Sequence, residues 1–189
     1  MRLFVAIDLP EHAKQAIVRE QKRIASALRD GRASLRWLKP DQIHLTLVFL
    51  GDVSEEGAPA VIETIGRHVA MRPFELTFAG LGVFPARGAP RVLWIGVTDG
   101  ALQVAALQRE IAQRITALKR PLESRPFHPH LTLARWRESR PADRRNVLAV
   151  EHGGAIAVID VDAAILYHSR LSAAGPAYTA LARANLIGN

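Results

Sequence analysis

Apolar positions in this chain switch repeatedly between strand and helix spacing. Leu3 to Ile7 is a compact apolar run ending at Pro10, short enough for a buried strand. Residues 11–29 place Ala13, Ile17, Ile24 and Leu28 on one helical face with basic residues elsewhere, and Gly31 offers a stop. Arg36-Trp37-Leu38 predicts a short extended piece before the Lys39-Pro40-Asp41 turn. Ile43 to Leu50 predicts a strand closed by Gly51-Asp52. Ser54 can cap a second helix, with Ala58, Ile62, Ile65 and Val69 at helical spacing. Phe74 to Phe78 alternates as a strand, residues 85–90 read as a loop, and Val92 to Thr98 is a further strand. A third helix over about 100–119 carries the stripe Leu107, Ile111, Ile115 and Leu118. Leu131 to Ala134, a short helix after Pro141, a long strand from Ala155 to Tyr167 and a last strand near Tyr178 to Ala182 complete the chain.

Hairpin-like strand pairs between helices favour an α+β layout with antiparallel sheets over a doubly wound parallel sheet. Nothing reads as a linker, so the expectation is one unit over residues 1–189, with two lobes.

Composition narrows the partners. The 189 residues are 49% hydrophobic and 23% charged, as in ordinary folded domains, and the net charge is +7. Of 25 basic residues only Lys14, Lys22, Lys39 and Lys119 are lysine. The planar guanidinium fork suits bidentate phosphate contacts, so this bias points to an anionic partner. A solvated basic surface explains the charge equally well. The absence of cysteine removes disulfides, thiol nucleophiles and zinc ribbons. No apolar run approaches a signal peptide or membrane span, which makes the cytoplasm the expected location.

One repeat stands out. His44-Leu45-Thr46-Leu47 recurs as His130-Leu131-Thr132-Leu133. In a strand, residues i and i+2 share a face. His44 and Thr46 then point one way while Leu45 and Leu47 enter the core, and the second copy repeats this. A single His-x-Thr is ordinary on a solvated strand, but two identical copies predict two walls of a polar cleft. Facing imidazoles are an acid and a base with ordinary pKa values near neutrality. The threonine hydroxyls can donate to phosphate oxygens. The chemistry this predicts is in-line phosphoryl transfer without a metal, with a bell-shaped pH profile straddling neutrality. By strict alternation Phe49 belongs to the core, and Arg135 faces away from His130 unless a bulge intervenes or the strand ends near Ala134.

The stretches RLFVAIDLP (residues 2–10), RWLKPDQIHLTLVFLG (36–51), FHPHLTLAR (127–135) and YHSRLSAAGPAYTAL (167–181) carry a resemblance over nearly the whole chain. The chain resembles the two-histidine phosphoesterases, and among them the bacterial and archaeal RNA 2′,3′-cyclic phosphodiesterases, first described as 2′-5′ RNA ligases. That resemblance implies an α+β, bilobal fold: two pseudo-symmetric antiparallel-sheet lobes with outer helices and a central cleft. It implies His44 as proton donor and His130 as proton acceptor, Thr46 and Thr132 as substrate-binding residues, and Arg135 as a phosphate contact. The implied reaction opens a terminal 2′,3′-cyclic phosphate of RNA, or of a small cyclic nucleotide, to a 2′-phosphate, with neither cofactor nor metal.

Three other readings stay open at this level. His128 and His130 are two apart and could start a metal site, although Pro129 separates them and no carboxylate cluster is near. A nonenzymatic RNA-binding module accounts for the charge but not for paired imidazoles. Attack by a 5′-hydroxyl in place of water would make the same groups a 2′-5′ ligase. Trp37 and Trp94 can stack on bases or pack in the core, and nothing asks for more than a monomer.

Overall fold

Two antiparallel sheets divide the strands between them in this computed structural model, which describes residues 1–28, 35–122, 126–150, 153–172 and 175–188. The elements in chain order are β1 (Arg2–Ile7), α1 (Glu11–Ala27), β2 (Leu35–Trp37), β3 (Leu45–Asp52), α2 (Ala58–Gly66), β4 (Phe74–Phe84), β5 (Val92–Val97), α3 (Ala101–Ala117), β6 (His130–Trp136), α4 (Pro141–Leu148), β7 (Ala155–Val161), β8 (Ala163–Ser172) and β9 (Gly175–Asn185). A 3₁₀ turn, Pro40–Gln42, precedes β3. The first sheet has the order β3-β1-β8-β9 and the second β2-β6-β5-β4-β7. Helices α2 and α3 pack on the first sheet, α1 and α4 on the second. The bilobal α+β architecture expected from the resemblance is the one observed.

The lobes are not the two halves of the sequence. The strand β2 joins the second sheet early, and β8 and β9 return to the first sheet at the end. This explains the main departure from the sequence reading. The long strand expected over 155–167 is two strands, because the chain leaves one sheet and enters the other at Asp162. There the Asp162 carbonyl accepts the Leu186 N–H at 2.8 Å. Continued alternation hides that crossing, since exposed Asp160 and Asp162 fall at strand spacing between buried Ile159, Val161 and Ala163.

Smaller differences have local causes. Helix α2 ends at Gly66, so Val69 lies beyond it, in a bridge to Leu186. The Ser54 hydroxyl accepts the Gly57 N–H at 3.2 Å, one turn before the helix proper. The stripe of α3 buries Val104, Leu107, Ile111 and Ile115. Helix α1 buries Ala13, Ile17 and Ile24 together with Gln21, a polar residue in the apolar stripe. The stop expected at Gly31 lies outside the described residues. Among the described residues no helix is long and apolar enough to cross a membrane.

Candidate active site

The tetrapeptides open β6 and, with His44 just ahead of it, β3, and their leucines point inward: Leu45, Leu47, Leu131 and Leu133 are all buried. Each strand then does something strict alternation does not predict. On β6, His130, Thr132 and Arg135 stand opposite Gly96, Trp94 and Val92 of β5. Those partners are spaced by two, so His130, Thr132 and Arg135 share one face. Leu133 is the extra residue of a bulge, and it and Ala134 are both buried. The bulge on which an Arg135 role depended is therefore present.

Strand β3 repeats the device. Thr46 stands opposite Ala6 and Phe49 opposite Phe4, with Leu47 as the inserted residue. Phe49 consequently faces the cleft and is 42% exposed, which overturns its expected place in the core. The Arg2 guanidinium lies 5.0 Å over its ring. Phe49 and Arg135 hold equivalent places, five residues after His44 and His130, each turned outward by a bulge at the third.

Aromatic rings fix each histidine. Phe4 stacks on His44 with centroids 4.8 Å apart, and Tyr178 meets it edge-on at 5.2 Å. Phe84 meets His130 edge-on at 5.1 Å, and Trp94 lies 6.1 Å away. One imidazole is also tied to the main chain two residues upstream: His130 Nδ1 donates to the His128 carbonyl at 2.7 Å. Since a carbonyl only accepts, Nδ1 of His130 carries the proton and Nε2 keeps its lone pair.

Burial sets the proton affinities. Loss of solvation pushes His44 down to about 4, against the opposing pull of the Asp8 charge and the Gln42 hydrogen bond. His130 is also lowered, first by burial and then by the positive fields of His128 and Arg135, while its bond to the His128 carbonyl opposes the shift. Behind His44, the Tyr167 hydroxyl donates to Asp8 Oδ2 at 2.6 Å.

These groups enclose a pocket of about 230 Å³ lined by His44, Thr46, His130, Thr132 and Arg135, with Gln42, Trp37 and Tyr178 on its walls. All five candidate site residues thus meet in one place. The pocket opens into a cleft of about 1570 Å³ through Thr46, His130 and Arg135, which line both. His128 lines the cleft, with its ring 4.8 Å from Trp94 and 6.2 Å from His130. Among the described residues no three His, Asp or Glu side chains come together as metal ligands. Trp94 lies flat against Gly82, where the indole fills the space a Cβ would take, so it packs rather than presenting a free face. Tyr178, Phe4, Asp8 and Tyr167 escaped the residue-level reading, although all four fall in the stretches that carry the resemblance.

Two bulged strands, each presenting His-x-Thr to a shared cleft, define a two-histidine phosphoesterase architecture. The family model of the 2′-5′ RNA ligase superfamily matches residues 6–165, and the chain belongs to that family. It is 32% identical to an RNA 2′,3′-cyclic phosphodiesterase of Aquifex aeolicus, covering 95% of this chain and 94% of that one. It is 33% identical to an RNA 2′,3′-cyclic phosphodiesterase of Thermus thermophilus, covering 100% and 91%. Among solved structures it is similar to E. coli LigT complexed with 3′-AMP, with a TM-score of 0.76 and 28% identity over 98% of this chain and 97% of that one.

Proposed function

We propose that the chain hydrolyses terminal 2′,3′-cyclic phosphates of RNA to 2′-phosphates, by acid–base catalysis between two histidines and without a metal. The relatives named RNA 2′,3′-cyclic phosphodiesterase support the reaction class. The observation that carries the mechanism is the convergence of both His-x-Thr pairs on one pocket, with His130 anchored to the His128 carbonyl and His44 stacked on Phe4. Both lobes act as a single unit in this reading, since neither alone holds an acid and a base.

Water attacks phosphorus while His130 Nε2 takes its proton. The P–O3′ bond breaks, and O3′ leaves with the proton carried by His44, so the phosphate stays on O2′. Thr46 and Thr132 donate to the non-bridging oxygens, and the Arg135 guanidinium offsets their charge. An empty, desolvated His44 holds its proton poorly. An anionic phosphodiester beside it favours the imidazolium, so substrate binding itself loads the acid.

The test is incubation of an oligoribonucleotide ending in a 2′,3′-cyclic phosphate with excess EDTA, the phosphate position being read by phosphorus NMR. The expected product is the 2′-phosphate at undiminished rate. A 3′-phosphate, or activity that returns only with a divalent ion, overturns the reading. His44→Ala and His130→Ala are each expected to lower kcat by about 10²–10⁴-fold. The double variant should lose far less than the product of the two, because the pair works as one unit.

A further inference from the structure

Among the described residues, the wider cleft is lined by four arginines, Arg87, Arg91, Arg135 and Arg137, and by no carboxylate. Some arginines elsewhere pair with carboxylates: Arg67 with Glu63, Arg114 with Glu110 and Arg183 with Asp162. Among the described residues, Arg87, Arg91 and Arg137 have no side-chain hydrogen bond or ion pair. Guanidinium groups left together without a carboxylate concentrate positive potential along one wall.

The wall is also fixed in place. The Arg144 guanidinium donates to the Pro85 carbonyl at 2.6 Å, and the Ser139 hydroxyl donates to the Pro90 carbonyl. The Arg91 N–H reaches the Phe84 carbonyl at 2.6 Å, and the Arg91 carbonyl accepts the Trp136 N–H at 3.0 Å. The β4–β5 hairpin is thus pinned at both ends to the segment after β6. Phe49, Phe84 and Phe127 line the same cleft. Aromatic faces among cations are the composition of a groove for single-stranded nucleic acid.

Resting on the phosphodiesterase reading, we propose that this hairpin and the segment after β6 form the track for nucleotides upstream of the cyclic phosphate, with Arg87, Arg91 and Arg137 taking backbone phosphates. The test compares the parent with the variant Arg87→Ala/Arg91→Ala/Arg137→Ala. KM is measured for a cyclic-phosphate oligoribonucleotide and for a cyclic mononucleotide, and binding of a fluorescent oligoribonucleotide is followed by anisotropy across a salt series. The oligonucleotide KM is expected to rise about tenfold or more beyond any change in the mononucleotide KM. The slope of log affinity on log salt should flatten by about 2, roughly 0.7 for each single-strand phosphate no longer neutralised. Equal changes for both substrates, or unchanged oligonucleotide binding, overturn the track. Should the parent hydrolyse neither substrate, the phosphodiesterase reading fails, while the anisotropy comparison still decides the track.

Helix α1 reaches the site from behind. Gln21 is 7% exposed, and its Nε2 donates to the carbonyls of Leu38 and Leu133, both at 3.0 Å. The Leu133 carbonyl also accepts the Leu38 N–H at 2.9 Å. Leu133 is the bulge residue that turns Arg135 toward the pocket. We infer that Gln21 is a positioning residue for Arg135, acting by clamping that bulge; the inference rests on Arg135 contacting phosphate. Gln21→Met keeps the length and removes both donors. In the parent background it should weaken binding of a nucleoside 2′-phosphate by about tenfold, the scale of one hydrogen bond to a charged group. In an Arg135→Ala background it should change binding little. Equal losses in both backgrounds mean a purely structural role and overturn the inference. So does an Arg135→Ala variant that binds normally. If Gln21→Met does not fold, Gln21→Leu, which also lacks a donor for either carbonyl, goes through the same cycle.

Discussion

His44 and His130 are chemically identical residues in unequal surroundings, and the difference is measurable. The proposed mechanism needs His44 protonated and His130 neutral. With His44 at about 4 and His130 below its ordinary 6.5, kcat/KM should trace a bell with an acid limb near pH 4 and an alkaline limb below 6.5. Sequence alone predicts limbs straddling neutrality, because it knows the imidazole and not its burial. A kcat/KM bell centred on or above neutrality would show that the free site is more hydrated than the packing of Phe4, Tyr178 and Phe84 implies. Asp8 gives a second handle, since its charge raises the proton affinity of His44 and its carboxylate holds the Tyr167 hydroxyl. In Asp8→Asn the acid limb should move to lower pH, while Tyr167 becomes easier to ionise, as followed by ultraviolet titration. An unmoved acid limb would separate Asp8 from His44.

At the scale of elements, the two bulges decide what reaches the cleft. Binary patterning predicts the histidines, threonines and leucines of β3 and β6 correctly up to the third residue after each histidine. Beyond that point the inserted Leu47 and Leu133 reverse the parity, and Phe49 and Arg135 come round to the cleft face. No residue type in the tetrapeptides announces a bulge, since its cause is the register against β1 and β5. The neighbouring hairpin shows the same dependence on close approach. Gly82 stands opposite Trp94 across β4 and β5, and the indole occupies the space a Cβ would need. Gly82→Ala should cost about 1–3 kcal/mol through overpacking and shift Trp94 beneath His128 and His130. Denaturant unfolding and kcat should fall together; an alanine variant of unchanged stability would mean the ring moves freely.

For the whole molecule, the same buried groups link stability to pH. His44 and His130 bind protons less well folded than unfolded. The unfolded chain therefore takes up more protons as pH falls from 6.5 toward 4, and stability falls with it. Tyr167 and Tyr178 show the opposite shift, holding their protons more tightly in the fold than the ordinary value of 10.0. Their contribution is present below pH 10 and is lost as pH rises beyond it. Denaturant midpoints should therefore form a plateau between about pH 6.5 and 10, with a decline on either side. A midpoint unchanged between pH 7.5 and 4.5 would contradict the burial of the two imidazoles.

Much of this protein is written locally. Helical stripes such as Ala13, Ile17 and Ile24, the inward leucines of both tetrapeptides and the repeated His-x-Thr follow from side-chain periodicity, which needs only the chain's own geometry. The tertiary structure alone decided what depends on a neighbour: the crossing at Asp162, the return of β8 and β9 to the first sheet, and the bulges that bring Phe49 and Arg135 to the cleft. It also decided why a glutamine sits in the stripe of α1, since Gln21 has a reason only beside the Leu133 carbonyl. Proton affinities belong with these, because desolvation is a property of the packed surroundings and not of the residue.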